Sequence, residues 1–104
     1  SGGENIYSTE VEAALFAHPD IIDAAVIGVP NEKYGEVVKA CIVKKEGSDL
    51  TEEDVINFCK DRIASYKKPQ SIDFIDEVPR NASGKVLKKV LREPYWKDQD
   101  RQVS

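Results

Sequence analysis

Two apolar, β-branched runs, residues 21–29 and 37–43, are separated by little more than the polar stretch Asn31-Glu32-Lys33-Tyr34-Gly35, and no other feature narrows the folds open to this chain so much. Each run reads as a strand, and the stretch between them as a turn or loop. In the second run Val37, Cys41 and Val43 fall on one face, and Val38, Ala40 and Ile42 on the other. With both faces largely apolar, this strand is expected at the centre of a sheet covered on both sides. The 104 residues, 40% hydrophobic and 33% charged, supply one domain. A domain of that size buries roughly 65% of the surface its unfolded chain exposes, enough for a core without disulfides or metal.

The remaining segments read mainly as helices. Ser8 is placed to cap a helix in which Val11, Ala14 and Leu15 recur at helical spacing, and Pro19 ends it. His18, the one histidine, falls in its last turn, where it reads as a complement to the helix dipole or a satisfied surface group rather than a catalytic one. After the turn Glu46-Gly47-Ser48-Asp49, Thr51 caps a second helix with Glu52, Glu53 and Asp54 in its first turn. Val55, Ile56, Cys59 and Ile63 mark its apolar face, and Lys67, Lys68 and Pro69 close it. Residues 72–75 form a short strand and residues 79–85 a polar, glycine-containing loop. Val86, Leu87, Val90 and Leu91 then form a short amphipathic helix that ends before Pro94, and the polar tail 97–104 is expected to fray. The order α-β-β-α-β-loop-α predicts an α+β fold over residues 1–104, a small mixed sheet of about three strands flanked by helices.

Charge and motif content exclude several classes. A net charge of −4 gives no support for general nucleic-acid or membrane-surface binding. No apolar run approaches 18 residues, so no membrane span is expected. Cys41 and Cys59 have neither CxxC nor Cys/His spacing, so no metal site is expected and both read as buried, reduced thiols. No secretory leader is legible, and Gln102-Val103-Ser104 is not a peroxisomal or retention signal, so a cytoplasmic location is expected. Ser1-Gly2-Gly3 reads as the middle of a loop, which suggests a piece of a longer chain.

The chemistry-bearing segment is Pro79-Arg80-Asn81-Ala82-Ser83-Gly84-Lys85-Val86-Leu87-Lys88-Lys89-Val90-Leu91-Arg92. It is not a nucleotide-binding P-loop: no glycine lies five positions before Gly84, and Val86 stands where a Ser or Thr would bind magnesium. A lysine on a loop of small residues can reach phosphate or carboxylate oxygens as a point charge, or simply be a solvated surface cation. At the start of the chain, Gly2 and Gly3 allow close approach of backbone to a ligand, or merely form a turn before a capped helix.

The first of these segments resembles the tenth core motif of the adenylate-forming superfamily, which includes acyl- and aryl-CoA synthetases, nonribosomal-peptide adenylation domains and beetle luciferases. Pro79, Arg80, Gly84, Lys85 and Arg92 match it. The opening Gly2-Gly3-Glu4-Asn5-Ile6 resembles the second half of the eighth core motif, most closely that of acyl- and aryl-CoA ligases. These two motifs, in order and separated by roughly 80 residues, make the resemblance specific and extend it over essentially the whole chain. The family's hinge Asp or Lys, which lies just upstream, is absent, as expected of a cut at or near the hinge.

The resemblance implies the small, mobile C-terminal domain of an acid–CoA ligase whose large N-terminal domain lies upstream. A carboxylic acid and ATP would give acyl-adenylate and pyrophosphate, and CoA would then displace AMP. Mg2+ is implied as well, held by the large domain. Lys85 would be the catalytic lysine of adenylation, supported by Gly84 and Arg80, while Gly2 and Gly3 would line the pantetheine tunnel in thioester formation. Asn31-Glu32-Lys33-Tyr34-Gly35-Glu36 and Tyr66-Lys67-Lys68-Pro69 resemble two further family segments, and imply CoA contacts by Tyr34, Tyr66 and Lys68. Pro79, four residues, then Gly84-Lys85 resembles the pattern read by lysine acetyltransferases, which implies acetylation of Lys85 and would make an acetyltransferase and a deacetylase further partners. Two other readings stay open: an adenylation-domain fragment that acts with a carrier protein, and a stand-alone α/β module with no catalytic role.

Overall fold

The computed structural model describes residues 6–63 and 68–103. Its elements follow the expected order: α1 (Ile6–Phe16), β1 (Ile21–Asn31), β2 (Gly35–Lys44), α2 (Glu52–Lys60), β3 (Ser71–Phe74) and α3 (Lys88–Val103). Among the described residues the strands form one mixed sheet in the order β1-β2-β3, with β1 antiparallel and β3 parallel to β2. The fold is α+β, and β2 is the central strand that its two apolar faces require.

The two faces of the sheet carry separate cores. Ala24 and Val26 of β1 and Ala40 and Ile42 of β2 pack with Val11 and Leu15 of α1, Val55 and Cys59 of α2, and Ile72 of β3. On the opposite face Ile27, Val29 and Cys41 are covered by Val37, Ile75, Leu91 and Tyr95, the last two from α3. Both cysteines are free and buried, as the sequence indicates.

A β-bulge interrupts the β1–β2 ladder: Ile21 pairs with Lys44 but Asp23 pairs with Val43, so Ile22 is the extra residue. The alternation of side chains shifts by one there. Ile21 therefore joins Ala24 and Val26 in the same core, although an unbroken strand would put it on the other face.

Side chains cap backbone groups on both outer strands. Glu12 Oε2 accepts the Val26 N–H at 2.8 Å, Trp96 Nε1 donates to the Gly28 carbonyl at 2.8 Å, and Glu52 Oε2 accepts the Ile72 N–H at 3.0 Å. These three backbone groups, which would otherwise invite another strand, are satisfied within the domain.

Three expectations about helix ends are corrected. Ser8 is not an N-cap; it lies buried inside α1, which is already helical at Ile6. The second helix closes at Lys60, so Ile63 reaches the core from beyond its end and Lys68 and Pro69 lie outside it, while Lys67 falls outside the described residues. The final helix starts at Lys88 and passes through Pro94 to Val103. Proline removes one backbone bond there, but Tyr95 and Trp96, directly after it, anchor the helix to Asp73 and to the Gly28 carbonyl. Thr51 caps α2 as expected, in a reciprocal capping box with Asp54. The Thr51 backbone N–H, which donates to Asp54 Oδ2 at 3.0 Å, is the main cause that holds the Asp54 carboxyl below the usual range, with a smaller contribution from the Thr51 side chain.

Candidate active site

Between β3 and α3 the chain makes a tight hairpin. Arg80 and Val86 form an antiparallel bridge, and the Leu87 N–H donates to the Pro79 carbonyl at 2.9 Å. Asn81 organises the tip: its Oδ1 accepts the N–H groups of Ser83 (2.9 Å) and Lys85 (3.0 Å), and its own N–H donates to the Lys85 carbonyl (2.9 Å). Gly84 completes the turn at φ +88°, a conformation that side chains with a Cβ rarely adopt.

Arg80 braces the hairpin from inside. Its Nη1 donates to the Gly84 carbonyl at 2.9 Å, and its Nη2 meets Asp23 Oδ1 at 2.7 Å. The loop is thereby tied to β1, and Lys85 follows directly on the braced carbonyl. The Lys85 side chain is exposed on one wall of an open groove of about 450 Å3, which Ser8, Thr9, Glu12, Phe16, Ala24, Arg80, Val86 and Lys88 also line.

Three cations border this groove, and two are compensated. Arg80 is paired with Asp23, and Lys88 Nζ lies 3.0 Å from Glu12 Oε2. Among the described residues the Lys85 amine has no hydrogen bond or ion pair, so its charge is free for an incoming anion. Among those residues, too, no group of three or more His, Cys, Asp or Glu is arranged to hold a metal ion.

Tyr34 and Lys68 lie elsewhere. Tyr34 is 66% exposed in the β1–β2 turn, with Lys33 Nζ 5.2 Å from its ring centre. Lys68 is half-buried, two residues before Gln70, whose N–H donates to the Val38 carbonyl. The parallel register of Lys39 with Ser71 brings Lys68 alongside the start of β2, toward the same end as Tyr34. Asp23, which holds the Lys85 loop, lies eight residues from Asn31 along β1, a span of roughly 26 Å. The structure thus separates Tyr34 and Lys68 from Lys85. Gly2, Gly3 and Tyr66 lie outside the described residues. His18 has a local role: its Nδ1 accepts the Asp20 N–H at 3.0 Å, and its ring meets Phe58 edge-on at 4.7 Å.

The model of the AMP-binding enzyme C-terminal domain matches residues 10–85. The chain belongs to this family. Among curated relatives, a methyl-dioxo-octahydroindenyl-propanoyl:CoA ligase of Rhodococcus jostii is 54% identical over 93 residues, which is 89% of this chain and 18% of that protein. A fatty acid–[acyl-carrier-protein] ligase of Streptomyces coeruleorubidus is 42% identical over 102 residues, 98% of this chain and 20% of that protein. The ATP-bound structure of MatB from Rhodopseudomonas palustris superposes with a TM-score of 0.82 at 40% identity, over 94% of this chain and 19% of that one. As an AMP-binding enzyme C-terminal domain, the chain thus spans about a fifth of the length of the proteins it matches.

Sequence reasoning missed Asp23, Glu12 and Lys88. Asp23 had one visible signal, a carboxylate inside an otherwise apolar strand run. Its partner Arg80 is 57 residues away, and only the tertiary fold joins them.

Proposed function

We propose that this chain is the mobile C-terminal domain of a cytoplasmic, ATP-dependent acid–CoA ligase, with Lys85 as its catalytic residue for adenylation. The observation that carries the reading is the exposed amine of Lys85, uncompensated among the described residues, on a braced hairpin beside a groove whose other two cations are paired. In adenylation a carboxylate attacks the α-phosphate of ATP and pyrophosphate leaves. Two anionic groups must meet, and negative charge spreads over oxygens in the transition state. A cation delivered to that point stabilises the charge, and one such group is worth a factor of about 100 to 1,000 in rate.

The acyl, ATP and magnesium sites belong to the large N-terminal domain in this reading. Gly2 and Gly3, with Tyr34, Tyr66 and Lys68, serve the thioester step, in which an aromatic face and a cation suit the phosphorylated adenosine of CoA. An exposed amine at Lys85 also suits a lysine acetyltransferase, and acetylation would remove the charge that adenylation needs.

The test is ATP–pyrophosphate exchange in the complete enzyme. Lys85→Ala is expected to slow exchange by about 100- to 1,000-fold, and Lys68→Ala to weaken CoA without touching exchange. Wild-type exchange in Lys85→Ala refutes the assignment. Transfer to a carrier protein in place of free CoA would move the enzyme to the acceptor class of the Streptomyces relative.

A further inference from the structure

The ion pair between Arg80 and Asp23 ties the Lys85 loop to the sheet. Asp23 directly follows the β-bulge at Ile22 and alternates with Ala24, whose side chain joins the α1–α2 core, so Asp23 points away from that core. Asp23 Oδ1 is held in turn by the Ala24 N–H at 2.9 Å, and from there accepts Arg80 Nη2 at 2.7 Å. The other guanidinium nitrogen, Nη1, holds the Gly84 carbonyl at 2.9 Å. A planar fork with one prong on each acceptor fixes both the distance and the orientation of the loop relative to the sheet. The next residue is Lys85.

We propose that Asp23 is a positioning residue for adenylation: from the bulge of β1 it orients Arg80, which sets the Gly84 carbonyl and so the direction in which Lys85 is presented. This rests on the reading of Lys85 as the adenylation lysine. Asp23 touches no substrate and acts through Arg80. A 1 Å misplacement of a reacting group can cost about 100-fold, and loss of one brace from a hairpin that Asn81 still organises costs less.

The experiment uses the complete enzyme with Asp23→Asn, Asp23→Glu, Lys85→Ala and the Asp23→Asn/Lys85→Ala pair. Both half-reactions are read: ATP–pyrophosphate exchange, and thioester formation from preformed acyl-adenylate. Asp23→Asn keeps an oxygen for the Ala24 N–H, so the strand is preserved, but it removes the charge that pairs with Arg80 and so weakens the brace. It is expected to slow exchange roughly ten-fold and to leave thioester formation within about two-fold of wild type. Asp23→Glu, which retains the carboxylate, recovers most of the loss. The double variant is no slower in exchange than Lys85→Ala, because both changes act through one amine.

Wild-type exchange in Asp23→Asn alongside a defective Lys85→Ala overturns the proposal and leaves the Lys85 reading intact. Equal slowing of both half-reactions by Asp23→Asn, or additive losses in the double variant, overturns it as well, since either marks a general structural role. Normal exchange in Lys85→Ala removes the reading of Lys85 and the role of Asp23 with it.

Discussion

Gly84 is required by its backbone, not by crowding. A Cβ built there meets nothing within 4 Å, yet φ is +88°. Placing an L side chain in that conformation costs about 1–2 kcal/mol, and an exposed loop can escape the strain by shifting. Gly84→Ala is therefore predicted to lower ATP–pyrophosphate exchange roughly ten-fold through displacement of Lys85, while urea unfolding shows a loss of no more than about 1 kcal/mol. A large stability loss with normal exchange would place the role of this glycine in folding instead. The pairing of the surrounding charges explains why Lys85 was legible and its support was not. Gly-Lys after Pro79 and Arg80 is a local pattern, whereas the neutralisation of Arg80 by Asp23 and of Lys88 by Glu12 joins residues distant in sequence.

At the scale of elements, α3 is docked by a polar cluster set into an apolar face. Lys39, only 9% exposed, lies 3.2 Å from Asp73, and its Nζ sits 5.1 Å from the Tyr95 ring centre; the Tyr95 hydroxyl donates to Asp73 Oδ2. Burial opposes the Asp73 charge, but the hydrogen bonds from Tyr95 and Lys39 outweigh it and hold the carboxyl below its ordinary range. Burial, and then the bond to Asp73, pushes the Tyr95 phenol upward. The neighbouring Cys41 thiol is raised to about 11 from 9.0, chiefly by burial and next by the charge of Asp73.

A raised thiol binds its proton more tightly in the folded state, so its contribution is complete below pH 9 and is lost as pH rises towards 11. The melting temperature of the chain is predicted to fall across that window, and Cys41→Ala to flatten the first part of the fall, ahead of Tyr95. An unchanged slope in Cys41→Ala would contradict this. The same cluster shows where element prediction stops. The β-branched runs announced the strands and their faces, and Thr51 with its acidic first turn announced α2. Pro94 signalled a helix end that tertiary anchoring by Tyr95 and Trp96 overrides, and the bulge at Ile22 has no residue-type signature within an apolar run.

Across the whole molecule, the sheet keeps two sets of groups apart. The Lys85 hairpin is tied near the start of β1, whereas Tyr34 and Lys68 lie toward the opposite end. In the function proposed above, separate surfaces on one domain suit a reaction in which two loops cannot occupy the same site at once, and rotation of the domain would exchange them. The α+β architecture and the central position of β2 followed from hydrophobic periodicity, while the spatial separation of these groups depends on strand register, which no local pattern encodes. The most direct measurement is the rate at which complete enzyme carrying Lys85→Ala converts preformed acyl-adenylate and CoA to thioester. The account predicts a rate close to wild type despite failed adenylation; a loss as deep as that in pyrophosphate exchange would contradict it.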